Sequence, residues 1–422
     1  MLNTILIIFF ILGYLAIIFE KFLHVNKAAL ALVMAVGCWL LYFGQRSTDA
    51  NLFTKQVSDV AQIIFFLLSA MIIVEIIDSH HGFKTLTDFI YTSSKRLTMW
   101  LLVFLSFFMS AVLDNLTTMI VMASLLKKLV PEEKDRWLIG SMMVISVNAG
   151  GAWSPIGDVT TTMLWIQHRL TTLEMVKWLF VPSLIHVLVS GCILSLFLRG
   201  EHQKRECHLL HRPMEPGARY VFWLGLGSLI LIPVWKGVLN VPPFMGALIG
   251  LGLMWLLTDV MHVRYGQERW HLRVSHALNK IDFSGIFFFL GILFAIDALA
   301  AAGILKHIAD FMKDSLGSEY LLATVIGLLS AVIDNVPLVA AVLGMYSLQD
   351  FPTNSTLWQL TAYAAGTGGS ILIIGSAAGV VWMGMEKIDF LWYFKRISWI
   401  ACLGYFAGIG IYLIQEALLF SR

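Results

Sequence analysis

The chain has 422 residues, of which 58% are hydrophobic and only 13% are charged. This balance excludes an ordinary soluble domain, because such a protein would expose a largely apolar surface. The net charge of +2 gives no basic field suited to nucleic acid, and the four widely spaced cysteines indicate neither a transition-metal site nor a disulfide framework.

Apolar segments of bilayer-spanning length recur along the whole chain, which predicts an all-α polytopic membrane protein. In the first half they are 3–19, 28–44, 60–78, 98–130, 137–166 and 176–198. In the second half they are 219–235, 243–258, 284–301, 320–348, 358–383 and 396–417. A long polar stretch separates the halves, so the predicted divisions are a transmembrane unit 1–198, a cytoplasmic linker 199–218 and a second transmembrane unit 219–422.

The two halves resemble each other in sequence. The motif SAVLDN at 110–115 recurs as SAVIDN at 330–335, an offset of 220. Upstream matches have an offset of 222, and the downstream glycine motifs, such as Gly157 and Gly375, have an offset of 218. Matches in the same order, with little drift in their spacing, indicate a duplicated unit.

Segments 98–130 and 320–348 each carry an Asp-Asn pair near the middle, so each could cross once or form a re-entrant hairpin. With two hairpins, 21 of the 29 Lys and Arg residues fall on one side and eight on the other, whereas two crossings give 16 and 13. Positive residues concentrate on the cytoplasmic side, so the charge distribution favours hairpins. This predicts two inverted repeats, each of five transmembrane helices plus one re-entrant hairpin, with interrupted helices and both termini outside the cytoplasm.

The Asp-Asn pairs are candidate ion sites, because a charge at membrane depth needs a partner or a wet cavity. Asp114 with Asn115 and Asp334 with Asn335 occupy equivalent places in the two halves. The alternative is that each carboxylate only caps a broken helix, and the two need not share one role. Thr117 adds a hydroxyl oxygen near the first Asp-Asn pair, at the tip of the first predicted hairpin, whereas Val-Pro follows the second pair. We therefore expect the two hairpin tips to be unequal.

A second pair of candidates lies in the glycine-rich stretches 148–158 and 366–376. The first cannot be a continuous helix, because its glycines and proline free backbone carbonyls, which can bind a cation inside a protein cavity. Close helix packing would explain the glycines alone, but not the polar side chains among them. The candidates from these stretches and their flanks are Asn148, Ser154, Asp158, Thr160, Thr161, Thr367, Ser370 and Ser376, and two further deep carboxylates are Glu75 and Asp297.

At these residues the sequence resembles the NhaD-type sodium/proton antiporters, within a superfamily that includes arsenite and dicarboxylate carriers. The motifs that carry the resemblance are SAVLDNLTT, NAGGAWSPIGDVTTT, SAVIDNVP and GTGGSILIIGSAAG. The resemblance implies exchange of Na⁺ and Li⁺ for H⁺ across the inner membrane, and a homodimer whose hairpin domain moves against a scaffold domain. It also implies roles for Asp114, Asn115, Asn148, Asp158, Thr160, Thr161, Ser330, Asn335, Ser370 and Ser376.

The residue types support a cation independently of the resemblance. Sodium is a hard ion that takes oxygen ligands, and a carboxylate that binds it must be ionised, so protons and sodium compete for one group. Burial disfavours the charged carboxylate and makes that competition effective. We therefore expect a secondary transporter, not an enzyme, with no cofactor beyond the transported ions. An anion or metalloid carrier of the same architecture and a membrane-embedded enzyme remain as alternatives; aspartates at the tips would repel an anion.

Overall fold

A computed structural model describes residues 2–44, 50–87, 92, 94–198, 200, 214–262, 269 and 272–420. These residues form α-helices and turns, with no strand among them. The helices of the first half are α1 (Leu2–Ile18), α2 (Glu20–Leu23), α3 (Lys27–Phe43), α4 (Ala50–Ser79), α5 (Lys84–Thr87), α6 (Lys95–Ser110), α7 (Asn115–Leu129), α8 (Glu133–Ala152), α9 (Val159–Ile166) and α10 (Thr172–Ser195).

The helices of the second half follow the same order of long and divided elements. They are α11 (Ala218–Leu239), α12 (Pro243–His262), α13 (Val274–Ala277), α14 (Phe283–Ala301), α15 (Ile304–Leu316), α16 (Glu319–Leu329), α17 (Asn335–Met345), α18 (Thr356–Gly368), α19 (Ala377–Glu386), α20 (Phe390–Tyr393) and α21 (Trp399–Phe420). A π-helical segment, Phe394–Ser398, joins α20 to α21.

Several of these helices are suited to a bilayer. Within the described residues, six are long and apolar enough to cross one: Phe53–Ser79, Thr172–Ser195, Ala218–Leu239, Pro243–His262, Phe283–Ala301 and Phe390–Leu418. Shorter apolar helices, among them Asn3–Ile18 and Lys27–Phe43, accompany them. The prediction of an all-helical polytopic membrane protein is confirmed at this level. Most of the predicted linker 199–218 lies outside the described residues.

Four apolar segments are divided by short breaks, at 111–114, 153–158, 330–334 and 369–376. The helix that follows each break begins with a side-chain cap, which satisfies a backbone N–H that has no partner inside the helix. Asp114 caps α7, Asp158 caps α9, Asp334 caps α17 and Ser376 caps α19.

The first glycine-rich break begins later than the sequence suggested. Helix α8 continues through Gly150 and Gly151 to Ala152, so Asn148 also lies on a helix. Glycine lowers helix propensity by only about 1 kcal/mol, which packing inside a buried helix can offset. Pro155 has no N–H to donate to the preceding turn, and the chain leaves the helix just before it.

The breaks of each half lie directly against each other. A Cβ atom at Gly157 would collide with the carbonyl oxygen of Ser110, so the second break passes over the first only because this residue is glycine. In the second half, a Cβ atom at Gly375 would lie 2.7 Å from the carbonyl oxygen of Ser330. The same close approach therefore occurs in both halves, at the positions that the sequence repeat relates.

The helices pack as two groups. In the scaffold group, α1 packs on α3, α3 on α14, α4 on α12 and α14, and α11 on α12. In the broken-helix group, α6 packs on α8, α16 on α18, α7 on α19, α9 on α17 and α10 on α21. The groups meet mainly where α14 contacts α17 and α4 contacts α9. The four breaks belong to the broken-helix group.

Candidate functional site

Asp158 lies at the meeting point of the breaks and is almost fully buried, with 2% of its surface exposed. The Asn115 side-chain amide donates to Asp158 Oδ2 at 3.0 Å, and the Asn335 amide donates to the same oxygen at 3.1 Å. The backbone N–H of Thr160 donates to Asp158 Oδ1 at 3.1 Å. The carboxylate from one break is thus held by the asparagines of both Asp-Asn pairs.

Asn148 extends this network to the fourth break. Its Oδ1 accepts from the Asn115 amide at 3.1 Å, and its own amide donates to Ser376 Oγ at 2.9 Å. The central cluster therefore consists of Asn115, Asn148, Asp158, Asn335 and Ser376, all of them buried. The sequence predicted all five as site residues, and the fold brings them together from five different helices or helix caps.

Four helix N-termini converge on the central cluster. Asn115 and Asn335 are the first residues of α7 and α17, while Asp158 and Ser376 are the caps of α9 and α19. The N-terminus of a helix carries a partial positive charge. This arrangement stabilises negative charge on Asp158, which is the only carboxylate of the central cluster.

Asp114 and Asp334 lie beside the cluster and are only partly buried. Asp114 accepts from the Thr117 backbone N–H at 2.8 Å and from the Thr117 hydroxyl at 2.7 Å. Asp334 accepts from the Val336 backbone N–H at 3.2 Å. Both carboxylates lie close enough to Asp158 to act on it electrostatically. The capping role that was the alternative reading for these two residues is therefore present, together with a negative field at the cluster.

The remaining predicted hydroxyls mainly donate to backbone carbonyls near the breaks. The acceptors are Asp158 O for Thr161 at 2.9 Å, Ala365 O for Ser330 at 2.7 Å, Tyr363 O for Thr367 at 2.6 Å, Thr367 O for Ser370 at 2.6 Å and Ala111 O for Ser154. These bonds hold the shape of the breaks and leave hydroxyl lone pairs to accept a further contact. The Thr160 hydroxyl lies next to the Asp158 carboxylate.

Two predicted carboxylates lie away from the central cluster. Glu75 pairs with Lys280 at 3.2 Å and accepts from Ser79 Oγ at 3.1 Å. Asp297 lies near the end of α14 and lines a cavity that also contains Asp59. Glu75 and Asp297 are separated by 222 residues, which is the offset of the upstream matches in the sequence repeat. Their surroundings differ, since only Glu75 has a cationic partner among the described residues.

Sequence reasoning missed two charged residues near these sites. Asp59 lies just outside the predicted apolar segment 60–78, whereas α4 begins ten residues before that segment, at Ala50. Lys27, at the start of α3, attracts Asp334 electrostatically and lies over the Phe288 ring at 4.7 Å. The signal that could have found Lys27 is its place at the start of an apolar helix, although no sequence pattern relates it to Asp334.

A buried carboxylate without a cationic partner is the chemical core of the arrangement. No described Lys or Arg side chain forms an ion pair with Asp158. Leaving an unpaired charge buried is costly, and a bound proton or cation relieves that cost. Carboxylate, amide and hydroxyl oxygens at the cluster are the ligand types that a hard cation prefers.

Comparisons with known proteins agree with a transport role. The citrate transporter family (CitMHS) matches residues 14–368. Sodium/proton antiporter 1 of Arabidopsis thaliana is 49% identical over 416 residues, covering 97% of this chain and 72% of that protein. Sodium/proton antiporter 2 of the same plant is 48% identical, covering 95% and 97% of the two chains.

A bacterial relative extends the match to a more distant sequence. The Na⁺/H⁺ antiporter NhaD of Alkalimonas amylolytica is 29% identical over 449 residues, covering 97% of this chain and 90% of that protein. The matched family and these relatives are transporters, not enzymes. The chain therefore belongs to the citrate transporter family (CitMHS) and is related to the NhaD-type sodium/proton antiporters.

Proposed function

We propose that this protein exchanges Na⁺, and Li⁺, for H⁺ by alternating access. The observation that carries the proposal is Asp158, a buried carboxylate that two side-chain amides orient and that no described cationic side chain neutralises. A proton or a sodium ion can each supply the missing positive charge, but one carboxylate cannot hold both. Competition for one group, combined with access from alternate sides, gives exchange.

The ligand set would be the central cluster with its surrounding oxygens. We propose that the binding residues are those predicted from sequence: Asp114, Asn115, Thr117, Asn148, Asp158, Thr160, Thr161, Ser330, Asp334, Asn335, Thr367, Ser370 and Ser376. Those in direct contact with Asp158 have the best support. Four of the hydroxyl residues would act mainly by holding the backbone of the breaks in place: Thr161, Ser330, Thr367 and Ser370.

An anion carrier is the second candidate, because the matched family is described as a citrate transporter. The four helix N-termini that meet at the site would also attract an anion. Each N-terminus contributes about half a positive charge, so the four supply about +2. Asp114, Asp158 and Asp334 supply three negative charges. Before the negative C-termini of α6, α8, α16 and α18 at the same breaks are counted, the balance is already about −1, or close to zero if Lys27 is counted with Asp334. A site without excess positive charge suits a proton or a cation better than a carboxylate anion.

The architecture proposed with this function is two inverted repeats, 1–198 and 219–422, joined by a cytoplasmic linker at 199–218. In support, the same contacts occur in both halves. Ser110 Oγ donates to Val147 O at 2.6 Å, and Ser330 Oγ donates to Ala365 O at 2.7 Å. The helix pairs also correspond, with α6 on α8 matching α16 on α18.

We further propose that α6–α7 and α16–α17 are re-entrant hairpins, that both termini face the periplasmic or extracellular side, and that the protein lies in the inner membrane. The charge distribution of the sequence supports the orientation. The broken-helix group would move against the scaffold group, since all four breaks belong to the former. A homodimer is proposed from the resemblance to NhaD-type antiporters.

Ion-dependent proton movement in everted membrane vesicles tests the function. A respiratory substrate acidifies the vesicles, a pH-sensitive dye reports the gradient, and Na⁺, Li⁺, K⁺ or citrate is added in turn. We expect Na⁺ and Li⁺ to dissipate the gradient, and K⁺ and citrate to leave it intact. Dissipation by citrate alone would favour the anion carrier, and no response to any addition beyond that of vesicles lacking the protein would reject exchange.

A further inference from the structure

A polar cavity, distinct from the central cluster, lies between the two helix groups. It has a volume of about 90 Å³, which gives room for several water molecules. Scaffold helices α4 and α14 line one side, while α9 with its C-cap and α17 line the other. Asp59 and Asp297 contribute carboxylates, and Gln56 and Gln167 contribute amides. We call this space the outer cavity.

Two polar groups of the outer cavity have no hydrogen-bond donor among the described residues: Gln56 Oε1 and the Asp297 carboxylate. The Gln56 amide donates to the backbone oxygen of Asp297 at 3.3 Å, but Gln56 Oε1 is buried and accepts no hydrogen bond from a described residue. The Asp297 carboxylate is mostly buried, and no described side chain or backbone N–H donates to it. Unsatisfied buried acceptors of this kind call for a proton, water or a cation.

The charges around the cavity also favour a bound proton or cation. Asp59 and Asp297 repel each other across it, which a shared proton or cation relieves. Lys55, on the same helix as Asp59, attracts Asp59 from outside the lining. The lining residues that α9 and α17 contribute are uncharged. The cavity therefore keeps two carboxylates with no ion-paired cation among the described residues.

Two helices connect the outer cavity to the central cluster. On α9, the lining residues Met163 and Gln167 follow Asp158 by five and nine positions. On α17, the lining residues Ala340 and Gly344 follow Asn335 by the same numbers of positions. At about 1.5 Å per helical residue, both helices place the cavity about 7–14 Å from the cluster along their axes. The two sites are thus neighbours but separate.

The proposed orientation places this cavity on the outer side of the membrane. Helix α4 would enter from outside at its N-terminus, close to Asp59, and α14 would end outside, close to Asp297. We propose that Asp297, with Asp59, forms a second binding site for the transported ions, at which protons are collected from the outer side and sodium is released. This inference rests on the proposed exchange function and adds an outer site to it.

The test compares the two membrane faces of Asp297→Asn. Proton movement is measured in right-side-out vesicles, which present the outer face to added Na⁺, and in everted vesicles, which present the cytoplasmic face. We expect the Na⁺ concentration for half-maximal exchange to rise about tenfold on the outer face, a loss that corresponds to about 1.4 kcal/mol. The half-maximal Na⁺ concentration on the cytoplasmic face should not change. Asp59→Asn should also raise the half-maximal Na⁺ concentration on the outer face, since this variant removes the second carboxylate of the cavity.

Asp314→Asn is the matched control, because Asp314 is an exposed carboxylate on α15, expected on the same side of the membrane. If Asp297→Asn fails to accumulate in the membrane, Asp59→Asn makes the same comparison, because it also removes one carboxylate from the cavity. Unchanged values on both faces, or equal shifts on both, would overturn the outer site while leaving exchange intact. A wild-type protein that shows no Na⁺ response on either face would instead reject the exchange function, and the outer site with it.

Discussion

Asp158→Asn is the sharpest perturbation of the central cluster, since it removes one charge and keeps the size of the side chain. Asp158 Oδ2 accepts from Asn115 and Asn335, and Oδ1 accepts from the Thr160 backbone N–H. An asparagine side chain has one oxygen and one NH₂ group where the aspartate has two oxygens. Its NH₂ group must therefore face at least one of these three donors, which loses its acceptor. A buried donor that loses its acceptor costs about 1–3 kcal/mol, so the variant should be less stable by that amount.

The expected effect on ion binding is larger. A cation about 4 Å from a full negative charge gains about 4 kcal/mol at an effective dielectric constant of about 20. Losing that attraction lowers the affinity by about a thousandfold. The variant should therefore remain folded in the membrane, with a lowered thermal midpoint, while sodium-driven proton movement falls below detection.

Vesicle exchange assays and thermal unfolding of the purified protein would measure the two effects separately. Asp158→Glu is a useful companion, because it restores the charge at the cost of an extra methylene in a packed site. We expect it to retain measurable exchange at higher sodium concentration. A normal apparent sodium affinity in Asp158→Asn would show that this carboxylate only braces α9, and the proposed site would have to be abandoned.

Three further predictions concern the tips, the fourth break and the topology. Asp114→Asn should abolish sodium-driven proton movement in vesicles, whereas Asp334→Asn should leave part of it; equal loss in both would contradict the proposed asymmetry. Ser376→Ala should lower the free energy of unfolding by about 1–3 kcal/mol, because the Asn148 amide loses its acceptor, and an unchanged thermal midpoint would argue against that bond. Reporter tags should place both termini outside and the 199–218 linker inside, and a linker found outside would exclude the hairpin arrangement.

Much of the broken-helix group could be predicted from local sequence. Pro155 and Gly157 mark a helix break, and Asp114 is a residue type that starts helices. The repetition of SAVLDN as SAVIDN then located the corresponding break in the second half. These signals are local, since a cap and a helix-breaking residue each act within about one turn of helix.

The contacts of the central cluster could not be predicted in this way. Asn335 donates to Asp158 across 177 residues of sequence, and Asn148 donates to Ser376 across 228. The sequence showed oxygen-rich residues at each break, but the choice of partners depends on how α7, α9, α17 and α19 cross. The same limit applies to Asp59, whose place in a cavity depends on the packing of α4 against helices distant in the chain.

The two tips differ more in their surroundings than in their sequence, and this difference is the physical basis for expecting unequal variants. Asparagine caps a helix about as well as aspartate, so Asp114→Asn and Asp334→Asn preserve the caps and change mainly the charge. Both oxygens of Asp114 accept hydrogen bonds from Thr117, a neutral residue that orients the carboxylate but adds no positive charge. Lys27 attracts Asp334 from the scaffold group. A fixed positive side chain competes with a mobile ion for the same carboxylate, whereas hydroxyl and backbone donors leave its charge uncompensated. The charge of the first tip is therefore the one left to sodium or a proton.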